Sequence, residues 1–262
     1  MAPHASLVAP LALLLALPLT LGFSLFGGPT IDGDLLSWDG DGDTFNPKKA
    51  FKDGDKYTRV NLVNWKMDAS ANLSLPATVK LLSLVNCKLA YVPDEVRALA
   101  NLEQLNLAHN QITSADGAFA SSGTIQVLNF TSNLVANYSL AMPALSTLDL
   151  SSNKLMTFPS PIFKSPLTTF RISDNGFQLA SVSSEQFDFF AGLGDFQADF
   201  AAITSCKTGE LVNLKGNKIC RVEDEVPVNP TVAPSKNGTS KSDSSSSAAG
   251  AAIGAATKEA GC

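Results

Sequence analysis

One spacing pattern constrains this chain more than anything else in it: L-x-x-L-x-L-x-x-N-x-L, returning in a single frame. It is clearest at Leu102, Leu105, Leu107, Asn110 and Ile112. It returns at Leu145, Leu148, Leu150, Asn153 and Leu155, and at Ile125, Leu128, Phe130, Asn133 and Val135. Leu167, Phe170, Ile172, Asn175 and Phe177 repeat it downstream. Upstream, Val79, Leu82, Leu84, Cys87 and Leu89 fit with Cys in place of Asn, and Tyr57, Val60, Leu62, Trp65 and Met67 form a degenerate first unit. Successive starts lie 22, 23, 23, 20 and 22 residues apart. A seventh, partial unit is expected near Leu214, Asn217 and Ile219.

A period of this length means a stacked solenoid, because one turn cannot bury its own apolar face. The L-x-L segment of each turn is expected as a short strand, apolar residues inward and the intervening ones outward. The Asn falls where the chain bends away from the strand. Its amide both donates and accepts, so it can pair backbone groups that the bend would bury. Cys87 can stand there as a small, weakly polar residue, buried and unpaired. From 57 to 219 the chain resembles the leucine-rich-repeat superfamily. The fold class expected is an α/β solenoid, a horseshoe with a parallel sheet on its concave face and short helical or irregular convex segments. Val92-Pro93-Asp94-Glu95-Val96 and Phe158-Pro159-Ser160-Pro161-Ile162-Phe163 are two such segments, the prolines blocking further strand pairing. Ser183 or Ser184 reads as the N-cap of a helix that places Phe187, Phe190 and Leu193 on one face.

The flanks differ in kind. Leu7 to Leu21 is apolar almost throughout, so residues 1–22 read as a cleaved export signal. Residues 23–56 read as an N-terminal cap, with Trp38, Phe45 and Phe51 to cover the first turn. Residues 57–222 hold the repeats and a C-terminal cap. Residues 223–262, rich in Ser and Ala, read as a disordered stalk or tail. Export favours paired cysteines, and Cys206 and Cys220 are the expected bridge.

Composition excludes more than it selects. Charged residues are 16%, which suits an extracellular chain, and the net charge of -5 comes without a basic cluster, so no nucleic acid is expected as partner. The only histidines are His4 and His109, so no Cys/His spacing suits zinc. Asp39, Asp41 and Asp43 begin like a calcium loop, but Thr44 and Ala50 stand where that loop needs Gly and Glu. His109 precedes the Asn of its repeat on the expected rim, and no strained serine elbow accompanies it. No catalytic residue, metal or cofactor is therefore expected. The outward strand positions are the candidate ligand surface, with Arg59, Asn61, Gln104, Asn106, Thr147, Asp149, Thr169 and Arg171 as its polar members. Asn72, Asn129, Asn137 and Asn237 head N-x-Ser/Thr triplets and are candidate glycan acceptors.

A narrower resemblance lies in D-F-Q-A-D-F…C-K-T-G-E-L-V-N-L-K-G-N-K-I-C-R-V, followed by a Ser-rich stretch and A-A-G-A-A-I-G-A-A. This segment is similar to the ectodomain end of oomycete-type leucine-rich-repeat receptor-like kinases. That resemblance implies a receptor-like form ending ahead of a membrane span and kinase. The function expected is a secreted, monomeric, non-catalytic recognition module for a protein, peptide or glycan, with membrane attachment only in a longer form. The alternative is a secreted inhibitor or effector that binds a foreign protein.

Overall fold

The computed structural model describes residues 30–39, 50–51, 54, 56–65 and 73–223. All belong to one compact unit that ends at Asp224. The export signal, Phe45, most of the acidic loop after Asp39, Asn72, Asn237 and nearly all of the tail lie outside the described residues.

The strands run in chain order as β1 (Thr30–Asp32), β2 (Leu35–Asp39), β3 (Arg59–Val63), β4 (Leu81–Val85), β5 (Gln104–Asn106), β6 (Ser114–Ala115) and β7 (Val127–Asn129). They continue as β8 (Asn137–Tyr138), β9 (Thr147–Asp149), β10 (Thr169–Arg171), β11 (Ser181–Ser183), β12 (Asp195–Gln197), β13 (Glu210–Leu214) and β14 (Asn217–Val222). Nine form one sheet in the order β1-β2-β3-β4-β5-β7-β9-β10-β12, parallel from β2 onward. Two inward columns make the core: Leu36, Val60, Leu82, Leu105, Leu128, Leu148, Phe170 and Phe196, then Trp38, Leu62, Leu84, Leu107, Phe130, Leu150 and Ile172. The fold is thus a leucine-rich-repeat solenoid, and its helices among the described residues are short: α1 (Asp94–Arg97) and α2 (Ser184–Gly192).

Both ends depart from the sequence expectation. The first turn is covered by a strand, not only by loose side chains. β1 and β2 form a hairpin and β2 joins β3 in parallel register, so Leu36 and Trp38 extend the inward columns by one turn. Phe51 is buried in the same core. At the other end, the strand of the seventh repeat, counted from β3, is β12 and not the segment near Leu214. Leu193, Phe196 and Ala198 carry the inward pattern, and helix α2 (Ser184–Gly192) lengthens the step between β10 and β12. Leu214, Asn217 and Ile219 instead form the β13–β14 antiparallel hairpin, which pairs with β11 in a separate sheet. An antiparallel hairpin presents Leu214 and Ile219 to the core at a spacing that resembles one more repeat.

Ser183 is the N-cap of α2. Its side chain accepts from Gln186 N at 3.2 Å and the Gln186 side chain accepts from Ser183 N at 3.0 Å, a reciprocal box. Phe190 on this helix is fully buried and stacks on Phe196, ring centroids 4.6 Å apart. A disulfide joins Cys206 to Cys220 and closes the hairpin onto the last turn.

Candidate functional site

Three outward columns cross the sheet. The first reads Leu35, Arg59, Leu81, Gln104, Val127, Thr147, Thr169 and Asp195; the middle one reads Ser37, Asn61, Ser83, Asn106, Asn129, Asp149, Arg171 and Gln197. The third begins Asp39, Val63 and Val85. The structure therefore brings all eight sequence-selected polar residues to one face. It does not leave them equally open. Arg59, Asn61, Gln104, Asn106 and Arg171 are half-buried and reachable. Thr147, Asp149 and Thr169 are 9%, 8% and 7% exposed, which corrects their reading as open contact residues. Alternation along a strand tells which face a residue takes. Depth depends on the neighbours in the adjacent strands, about 4.8 Å to either side, and short side chains there are overshadowed.

Most of these groups are already engaged. Asn106, Asn129 and Asp149 each turn an Oδ1 toward the strand end and accept from the backbone two residues on, at Ala108 N (3.1 Å), Thr131 N (2.8 Å) and Ser151 N (2.9 Å). Arg59 holds Asp34 at 2.7 Å. Thr58 and Arg59 together stabilise the ionised Asp34 carboxylate and lower its pKa below the ordinary value. Arg171 pairs with Asp195 at 2.6 Å and lies 3.8 Å from Asp149, so its main partner is in β12, a strand that the repeat pattern did not reveal. Asp195 and Gln197 are accordingly site residues that sequence reasoning missed. The available signal was the Leu193-x-x-Phe196 spacing.

Below the strands runs the asparagine ladder. Asn110 Oδ1 accepts from Cys87 N and Leu89 N, while its Nδ2 donates to Leu84 O and Leu107 O. Asn133, Asn153 and Asn175 repeat this arrangement, each tying its own bend to the preceding turn. Cys87 holds the same slot, and its thiol contacts Leu62 O and Val85 O. Burial pushes that thiol up to about 12, so it stays protonated, in keeping with a packing role.

A second ladder, unseen in the sequence, precedes the first by one residue. Asn64, Asn86, His109, Ser132, Ser152 and Asp174 all have left-handed backbone, φ 54–58°. From Asn64 to Ser152 each donates its N–H to a carbonyl of the next turn. Asn, Asp and His tolerate this region better than most residues. His109 is exposed and serves the bend. Among the described residues no group of carboxylates, thiols or imidazoles could hold a metal ion, and no helix is long and apolar enough to cross a membrane.

The repeat that starts at Leu145 has an independent match: a Leucine Rich Repeat family model covers residues 144–165, from the turn before β9 through Asn153 to the 3-10 segment. The chain carries leucine-rich repeats. Its repeats are similar to those of Toll-like receptor 2 from Macaca mulatta, 32% identical over 108 residues, 41% of this chain and 13% of the receptor. Toll-like receptor 2 from Bubalus bubalis is 32% identical over 107 residues, with the same shares. The likeness is therefore to a small part of a much longer receptor. In the leucine-rich-repeat frame, the sheet face is an extended surface on which neighbouring turns present side chains in register.

Asn129 and Asn137 separate on this frame. Asn129 is buried in the middle column, whereas Asn137 is exposed on β8, in a two-stranded sheet with β6.

Proposed function

We propose that this protein is an extracellular, non-catalytic recognition module that binds a protein, peptide or glycan through the solvent face of its sheet, as a monomer. The observation that carries this reading is the in-register polar column from Ser37 to Gln197, flanked on one side by Leu35, Leu81 and Val127 and closed at its far end by the Arg171–Asp195 pair. Short hydroxyl and amide side chains on a stiff ladder offer hydrogen bonds, and the aliphatic ones beside them apolar contact, with little ordering cost. The named relatives are receptors, and the segment around Cys206–Cys220 resembles a receptor ectodomain end, which supports a receptor-like role.

The test uses peptide display and glycan arrays to select ligands for the purified full chain, then compares variants for affinity. Gln104→Arg and Asn61→Arg, both in the sheet face, should weaken a selected ligand by roughly tenfold or more, about 1.4 kcal/mol. Gln111→Arg, exposed beyond the Asn110 bend, should not. Ligands indifferent to the two sheet variants but lost with Gln111→Arg would move the site to the flank.

A further inference from the structure

We infer that, of the two N-x-Ser/Thr asparagines in the described repeats, Asn137 is an N-glycan acceptor and Asn129 is not. The assignment rests on the extracellular reading above, since such asparagines are modified during export. Asn129-Phe130-Thr131 and Asn137-Tyr138-Ser139 are equivalent as motifs. The fold makes them unlike.

Asn129 is 7% exposed at the centre of the sheet face, with Asn106 and Asp149 beside it in the adjacent strands. Its carboxamide oxygen is held by Thr131 N at 2.8 Å. A sugar ring on its Nδ2 would have to stand between the side chains of Asn106 and Asp149, carried by strands about 4.8 Å to either side, and would displace both neighbours. A chain that received a sugar there before folding could not complete the sheet, and so would be missing from the folded, exported pool.

Asn137 opens β8 and pairs with Ser114 of β6. In an extended strand residues i and i+2 point the same way. Asn137 and Ser139, the two residues the motif requires, are both exposed, while Tyr138 between them turns into the core. A glycan here stands on a sheet separate from the ligand face and leaves that face open. In the reaction the Asn137 amide nitrogen forms a C–N bond to the anomeric carbon of a lipid-diphosphate-linked oligosaccharide. The anomeric C–O bond breaks, the lipid diphosphate leaves with the electron pair, and the amide gives up one proton. No oxidation or reduction is involved.

The full chain, exported from eukaryotic cells once on its own N-terminus and once behind an added strong leader, is mapped peptide by peptide before and after enzymatic deglycosylation. Asn137 should be occupied in the large majority of exported molecules and Asn129 in essentially none. Asn137→Gln and Ser139→Ala should each remove the same glycan. Thr131→Ala, which breaks the other motif and keeps the Asn129 carboxamide, should leave the glycan content unchanged. An exported, folded chain with Asn137 bare, or with a glycan on Asn129, overturns the assignment. Export only behind the added leader overturns the extracellular reading instead, and the occupancy of Asn137 in that same sample still decides this one.

Discussion

The middle turns and the C-terminal end bury the same kind of strand by different means. From β4 to β9 the core is aliphatic, built mainly from Leu, Val and Ile, and each bend is tied by one asparagine or by Cys87. From Phe158 to Phe200 it is aromatic: Phe158, Phe163, Phe170, Phe177, Phe189, Phe190, Phe196 and Phe200 form one connected group of rings. A turn with neighbours on both sides is covered by them, so short side chains suffice. The last turn has a neighbour on one side only. There bulky rings, a capped helix and a disulfide-closed hairpin take over the covering.

The sharpest break in this comparison is Phe190→Ala. Phe190 is fully buried and touches five other rings, so the substitution removes a hub and leaves a cavity among groups too large to collapse into it. A cost of about 3–5 kcal/mol is expected. Hydrogen exchange should rise first in β12 and β11, with the turns around Leu105 protected longer. A uniform loss of protection along the whole sheet would show that the aromatic end is not a separate covering device. Next in size is the bridge. Cys206→Ser with Cys220→Ser reopens a loop of 14 residues in sequence separation, at a cost of roughly 3 kcal/mol on the chain-entropy model. The same hydrogen-exchange experiment should place the loss in β13 and β14.

A smaller effect tests the middle. Asn153→Ala strands Val135 N and the carbonyls of Phe130 and Leu150 inside the solenoid, and should cost about 1–3 kcal/mol by denaturant midpoint. Cys87→Ala, at the same slot, loses only weak thiol contacts and should cost less. Equal losses would mean that slot position, not amide chemistry, sets the stability of a bend.

The turns from β3 to β10 were legible in the sequence because their inward residues and bend asparagines repeat at nearly constant spacing, and the Cys206–Cys220 pairing because export favours it. The rest was hidden for identifiable reasons. β2 and β12 belong to terminal turns, where the Asn slot is lost and a hairpin or helix changes the step length, so Leu36-x-Trp38 and Phe196-x-Ala198 do not announce themselves. The left-handed ladder of Asn64, Asn86, His109, Ser132, Ser152 and Asp174 has no single residue type, and its two serines are not types that favour positive φ. For the candidate site, the face of each residue could be read but not its depth. Thr147, Asp149, Thr169 and Asn129 look like contact residues by alternation and are buried by their neighbours.

The smallest expected effect bears on where the two regions meet the proposed ligand face. Arg171 lies in the middle column between Asp149 on the aliphatic side and Gln197 on the aromatic side, and reaches diagonally to Asp195 in β12. It holds Asp195 through both Nε (3.0 Å) and Nη2 (2.6 Å), whereas its nearest approach to Asp149 is 3.8 Å. Arg171 and Asp195 are partly open to water, so Arg171→Ala should change thermal stability by only about 0–1 kcal/mol. A double-mutant cycle should couple Arg171 to Asp195 more strongly than to Asp149, because only the first pair has short contacts. Asp149→Ala should nevertheless cost more than Asp195→Ala when made alone, since it also removes the bond to Ser151 N at 2.9 Å. The opposite order would mean that the Arg171–Asp195 pair ties β12 to the sheet, and that the end of the ligand face is held by charge as well as by rings. If the order holds, Arg171 is left as the most adaptable cation of the face, and its loss should be felt in ligand affinity before it is felt in folding.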